Sequence, residues 1–169
     1  MFLRFLNVGA TLTCIALLTG CGRAEGSKYI AGELLASTSL DASLPTNVDP
    51  LALTAIINYI DAVNVGLHTG KTLPIRMAAM AGCGCLKIAD SFEDIWATAN
   101  LVGGSYKITE ISPEINTPEL IKLKVRVAMS DTKHVDRRTG KSELWEASNI
   151  DTTFTLKPVN GDWWIVQSE

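Results

Sequence analysis

The chain has 169 residues with a formal net charge of −3. That length suits one domain, and the mild acidity excludes non-specific nucleic-acid binding, which needs a positive field to replace counterions. Apolar residues make up 47%, enough for a core, and tryptophan recurs as Trp96, Trp145, Trp163 and Trp164.

The N-terminus, MFLRFLNVGATLTCIALLTGC, joins one positive side chain, Arg4, to an apolar stretch that ends too soon for an ordinary spanning helix. It closes as Leu18-Thr19-Gly20-Cys21. This run resembles the lipobox of bacterial lipoproteins: an apolar residue, two small residues, then cysteine. The resemblance implies a signal peptide over residues 1–20, cleavage before Cys21, and a diacylglyceryl group on the Cys21 thiol. It places the chain at the extracytoplasmic face of the cell membrane. Each buried acyl CH₂ contributes about 0.8 kcal/mol, so two or three chains hold firmly. Cleavage leaves a mature net charge of −4, since Arg4 is the one charged side chain lost.

Residues 21–48 are rich in Gly, Ser, Thr and Ala without a sustained period. We expect a flexible tether there and an α+β domain over 49–169, with Ile30, Leu34 and Leu35 able to touch it.

The first helix is well marked. Asp49 is an N-cap candidate and Pro50 takes the first helical position. Leu53, Ile56, Ile57, Ile60, Val63 and Leu67 fall on one face, Asn58, Asp61 and Asn64 opposite, and Gly70 supplies the stop. A short second helix is expected at Leu73–Ala81. After the tight turn Cys83-Gly84-Cys85, a third helix over Leu86–Ala99 carries Leu86, Ala89, Phe92, Ile95 and Trp96 as its stripe, with Gly103-Gly104 ending it.

The period then becomes two. Tyr106–Ile111 reads as a strand. Ile121, Leu123, Val125, Val127 and Met129 alternate with Lys122, Lys124, Arg126 and Ala128, a half-buried strand with a basic wet face. Residues 130–143 read as a charged loop, Leu144–Leu156 as a long or bulged strand. Asn160-Gly161 is a hairpin turn, since both residues tolerate positive φ, and Trp163–Gln167 is the last strand.

Helices first and an antiparallel sheet after is the α+β order. The capped helix, short helix, third helix and closing hairpin from Thr153 to Val166 resemble the nuclear-transport-factor-2-like superfamily over roughly residues 49–167. The lipobox, the tether, the run Ile56-Ile57-Asn58-Tyr59-Ile60, the Gly70 stop and a cysteine pair before the next helix are similar to a family of uncharacterised actinobacterial lipoproteins. The resemblance implies N-terminal helices on a curved antiparallel sheet. It names no activity, because the superfamily hosts enzymes, binding modules and scaffolds alike.

Cys83 and Cys85 form an even pair in a chain that leaves the cytoplasm, which favours a disulfide. Thiol–disulfide exchange is the sharper alternative, since the pair precedes a helix, though no βαβ context accompanies it. His68 and His134 each stand without a second ligand at i+3 or i+4, so no metal or cofactor is expected. Asp61 with His68, or Asp90 with Glu93 and Asp94, could in principle do acid–base work, but Asp61, Asp90 and Asp94 fall on polar helix faces. Lys133, His134, Arg137, Arg138 and Lys141 are read as a solvated loop. The candidate site is an apolar pocket between helices and sheet, lined by Tyr59, Phe92, Trp96, Tyr106, Trp145, Phe154 and Trp163. Trp163 is chosen over Trp164 because strand alternation turns only one of them inward. The expected function is a membrane-anchored binding or accessory domain of the cell envelope, with a small apolar ligand or an envelope protein as partner. A superfamily enzyme in the same pocket is the alternative, a thiol oxidoreductase a weaker one.

Overall fold

The computed structural model describes residues 39–169; the expected signal peptide, Cys21 and residues 22–38 lie outside the described residues.

Helix α1 spans Pro50–Thr69. Its start follows the sequence signals: the Asp49 side chain accepts from the Leu51 backbone N–H at 2.8 Å, and Pro50 opens the first turn without wasting a donor. Its end needs Gly70, whose φ of 71° donates the cap N–H to the Gly66 carbonyl. The helix is long and apolar enough to cross a membrane by length and composition. Ten of its residues are buried in the domain, however, including the whole Leu53, Ile56, Ile57, Ile60, Val63 and Leu67 stripe, each contributing about 1.5–3 kcal/mol through burial.

Helix α2 covers Leu73–Met77 and is shorter than the expected Leu73–Ala81, because Ala79 leaves it to bridge Ile165. A 3-10 turn, Gly84–Leu86, leads into α3, Lys87–Thr98. The third helix therefore stops at Thr98, one residue from the expected Ala99, and Gly103-Gly104 ends a strand and not the helix. Residues Ala99–Gly103 form strand β1, which the helical reading missed.

The remaining strands are β2 (Tyr106–Asn116), β3 (Ile121–Met129), β4 (Thr132–Asp136), β5 (Ser142–Trp145), β6 (Ser148–Val159) and β7 (Asp162–Ser168). They make two antiparallel sheets in the orders β2-β3-β6-β7 and β1-β4-β5. Chain order shows that these are two halves of one hairpin system. Strand β3 continues as β4, β5 as β6, and β1 leads into β2, each through a short break. The breaks align. The Ser130 N–H donates to the Ser105 carbonyl at 3.0 Å, and the Ala147 N–H to the Asp131 side chain at 2.7 Å. At Gly104, φ is +80° and a Cβ would stand 2.1 Å from Thr132 Oγ1, so only glycine fits. The expected charged loop over 130–143 is thus a strand–turn–strand. Its tip is tied by Asp136, which accepts from the Arg138 and Thr139 N–H groups and the Thr139 hydroxyl.

The inner face of the larger sheet carries Ile121, Leu123, Val125 and Val127 of β3, with Phe154 and Leu156 of β6 and Ile165 of β7, all buried under α1. The alternation read from the sequence is the one observed in β3. The closing turn also forms as expected, with φ of 55° at Asn160 and 92° at Gly161. The edge of β2 is covered by the chain that precedes α1. Ile108 N–H donates to the Ser39 carbonyl at 2.6 Å, and Asp41 N–H to the Ile108 carbonyl at 2.8 Å. Ser39 and Val48 are buried, and Leu40, Ala42 and Leu44 pack on the core. Of the stretch expected as tether, residues 39–48 therefore belong to the packed domain, held by edge pairing that leaves no periodic trace in so short a run.

Candidate functional site

The seven aromatic candidates fall into three places. Tyr59, Phe92 and Phe154 are 5%, 3% and 3% exposed and fill the interior. Tyr59 and Phe154 meet edge to face, centroids 5.5 Å apart. The Tyr59 hydroxyl donates to the Cys85 carbonyl at 2.8 Å.

Trp163 sits at the N-terminal end of α1. It shares the inward face of β7 with Ile165, and its indole Nε1 donates to Asp49 at 2.8 Å. Trp96, Tyr106 and Trp145 are half-buried at the other end of α1. Trp96 lies against Gly70, where a Cβ would stand 2.7 Å from its Cγ. Tyr106 is fixed to α1 through its backbone: Asn64 accepts from the Tyr106 N–H at 2.7 Å and donates to its carbonyl at 2.9 Å. A helix of twenty residues is about 30 Å long. Trp163 and the Trp96–Tyr106–Trp145 group therefore cannot line one small pocket.

The second group has company that the sequence reading placed in solvent. His134 stacks on Trp145, centroids 5.4 Å apart and planes 20° apart. Register sets Leu101, His134 and Glu143 in one cross-strand row, with Gly103, Thr132 and Trp145 in the next row on the same face. Thr132 is 1% exposed and lies near Leu67 of α1 at Gly104, so this face is turned to the helices. Arg137 closes the edge, its guanidinium 5.7 Å from the Trp96 ring centroid and its Nε donating to Asn100 at 2.8 Å. The candidate site is this mouth, where the two half-sheets meet the C-terminal end of α1. His134 and Arg137 were hidden in a run that composition marks as loop. The usable signal was Asp136-Arg137-Arg138-Thr139-Gly140, whose Asp at the first position and Gly at the last read as a tight hairpin turn.

The electrostatics inside are quiet. Burial, reinforced by Tyr106, pushes the Tyr59 hydroxyl well above the usual phenol range, and burial raises Tyr106 as well. Both stay protonated at neutral pH, and the Tyr59 hydroxyl acts as a donor to the Cys85 carbonyl. Asp136 is held below the usual carboxylate range by its bonds from Thr139. Among the described residues no group of three or more His, Cys, Asp and Glu gathers to hold a metal ion. His68 is exposed in the last turn of α1, and Asp61 is half-buried. Asp90 and Glu93 are spent on Arg76 at 2.7 and 3.0 Å.

Cys83 and Cys85 lie between α2 and α3, 5% and 6% exposed, their sulfurs 2.03 Å apart. On the outer face of the sheet the basic row expected from the sequence is largely neutralised. Arg126 pairs with Asp151 at 2.8 Å and Glu110 at 3.0 Å, and Lys122 with Glu169 at 3.3 Å.

No family model matches the chain, and no curated protein sequence matches it. Among solved structures, the intermembrane-space region of the chloroplast protein ARC6 superposes with a TM-score of 0.54 at 10% identity, over 74% of this chain and 97% of that one. A candidate aromatic ring hydroxylase from Novosphingobium aromaticivorans gives 0.52 at 14% identity, over 75% and 89%. A protein of unknown function with a cystatin-like fold from Nostoc punctiforme gives 0.48 at 10%, over 73% and 92%. At such identities the likeness is one of fold, and the first two agree with the element order: α+β, helices packed on antiparallel sheet.

Proposed function

We propose that the chain is a lipid-anchored, extracytoplasmic binding or accessory domain of the cell envelope, acylated at Cys21 and of actinobacterial lipoprotein type. A small apolar ligand or an envelope protein would be its partner, taken up at the mouth lined by Tyr106, Trp145, His134 and Trp96. The anchor is supported by Leu18-Thr19-Gly20-Cys21 at the end of an apolar leader. A Cys83–Cys85 disulfide suits the oxidising side of the membrane.

One observation carries binding over catalysis. The ionisable groups driven inward with displaced pKa values are Tyr59 and Tyr106, both held in the neutral form, and the Tyr59 hydroxyl is already committed to the Cys85 carbonyl. A tyrosine acting as general base near neutral pH would need its pKa lowered, not raised. The enzyme reading retains one favourable feature: His134 sits across from Glu143 on the face turned to the mouth. The thiol-exchange reading fares worse, because two cysteines only 5% and 6% exposed offer little approach to an attacking thiolate.

The test titrates palmitate, as an apolar probe, into purified protein and follows tryptophan fluorescence. Saturable quenching that is lost in Trp145→Ala, with secondary structure intact, is the expected result. No quenching in the parent chain, together with no co-purifying molecule in native mass spectra of protein taken from its own envelope, would overturn the binding reading.

A further inference from the structure

Three apolar side chains that follow one another along the chain are left in water around α2. Leu73 is 66% exposed, Met77 67% and Met80 39%. Leu73 and Met77 stand four residues apart and share a helix face; Met80 follows as the chain leaves the helix. The segment cannot roll to hide them. Ile75 is fully buried on the other side, and the Met80 N–H donates to the Ile165 carbonyl at 2.9 Å. Arg76 is clamped to Asp90 and Glu93 of α3, and the Thr72 hydroxyl, just before the helix, also donates to Glu93. The result is a rigid apolar ridge at the β7 side of the domain.

We propose that this ridge rests in the interfacial layer of the membrane that anchors the chain. The inference depends on the reading of Cys21 as the acylated residue. Chain length permits the contact. Seventeen residues lie between Cys21 and Ser39, a span of at most about 60 Å over the eighteen steps. Ser39 is bonded to the β2 edge, and the ridge to β7, the opposite edge of the same four-stranded sheet. Three strand spacings, about 14 Å, divide them, so the anchor reaches the membrane with the ridge in contact. Leucine and unbranched thioethers adapt to a disordered acyl surface. The charges at the ridge do not favour a headgroup mechanism: Lys71 and Lys87 are exposed, but Arg76 is neutralised by its two carboxylates. Apolar insertion is therefore the mode of contact, and anionic lipid is not required.

The test places a photo-reactive benzoylphenylalanine at the ridge, Met77→benzoylphenylalanine, or on the outer face of the sheet, Lys124→benzoylphenylalanine. Both are made in the full chain exported and processed by its host. Each purified protein is mixed with phosphatidylcholine vesicles, floated, and irradiated. The expected result is flotation of both, with cross-linking to lipid severalfold higher from position 77 than from 124, unchanged when phosphatidylglycerol is added. Flotation with equal yields would overturn the ridge contact and leave the anchor standing. A ridge yield that appears only with phosphatidylglycerol would overturn apolar insertion. Proteins that stay at the bottom of the gradient would remove the anchor reading and this one with it.

Discussion

Asp49 does two jobs with one carboxylate. One oxygen caps the first turn of α1 through Leu51, and the other accepts the Trp163 indole from the last strand. It thus joins the first helix to the final hairpin across 114 residues. Replacing Asp49 with Ala removes both bonds and leaves a half-buried indole N–H unpaired, and should cost about 1–2 kcal/mol. Asp49→Asn keeps a capping oxygen for Leu51 while removing the carboxylate oxygen that receives the indole, and should show a smaller loss. Urea midpoints at constant slope measure both, and equal losses would mean that the cap carries nothing.

Tyr59 makes stability depend on alkaline pH. Its hydroxyl ionises later when folded than when unfolded, so above the unfolded value of about 10 the unfolded chain loses its proton first. The contribution is complete below that value and drains away as pH rises toward the folded pKa. Tyr106 adds to the loss in the same direction. Tyr59→Phe should therefore be less stable than the parent near neutral pH, by about 1 kcal/mol for the bond to Cys85. It should also lose less stability when pH rises past 10. A mutant that tracks the parent through the alkaline range would refute the burial argument.

At the scale of elements, the bend between the half-sheets positions the mouth, and two residues hold it. Asn64 reaches from α1 to both backbone groups of Tyr106, and Gly104 lets the chain pass Thr132. Asn64→Ala should cost about 1–3 kcal/mol, since it orphans a backbone donor in a half-buried place. Gly104→Ala forces a Cβ into Thr132 at positive φ and should cost more than about 2 kcal/mol, a loss that thermal melting would register directly. The same bend explains what the sequence concealed. α1, β3 and the Asn160-Gly161 hairpin are written in local patterns: a cap and a stop, a strict alternation, a two-residue turn. β1, β4 and β5 are only four or five residues long beside a break, and β1 finds its partner in β4, 29 to 37 residues further on. Nothing local distinguishes Ala99–Gly103 from a fraying helix end, and the charges of Lys133, Arg137 and Arg138 give a paired ribbon the composition of a loop. Asn64 was hidden for a related reason. Its type and position mark it as polar surface, and only the sheet bend brings Tyr106 to it.

For the whole molecule, the legible parts are the fold class, which follows from the order and periodicity of the elements, and the rule that only one of Trp163 and Trp164 can face inward; periodicity alone does not say which. The grouping of site residues was less legible. Seven aromatics on a list say nothing about which end of a 20-residue helix each one meets. A Cys83–Cys85 bond, as proposed, would close a small ring and stabilise little through chain entropy; its effect would be local, at the turn whose Cys85 carbonyl accepts from Tyr59. Mass spectrometry of unreduced protein should show the peptide spanning both cysteines two hydrogens lighter than its reduced form, and free thiols would contradict the bond.

The account stands on Cys21. The intact mass of the protein purified from its own membranes tests it most directly. The account predicts a chain that begins at Cys21 and carries diacylglycerol and acyl mass on that residue, with the added mass absent in Cys21→Ala. A chain that retains residues 1–20, or one cleaved elsewhere with the Cys21 thiol free, would contradict it.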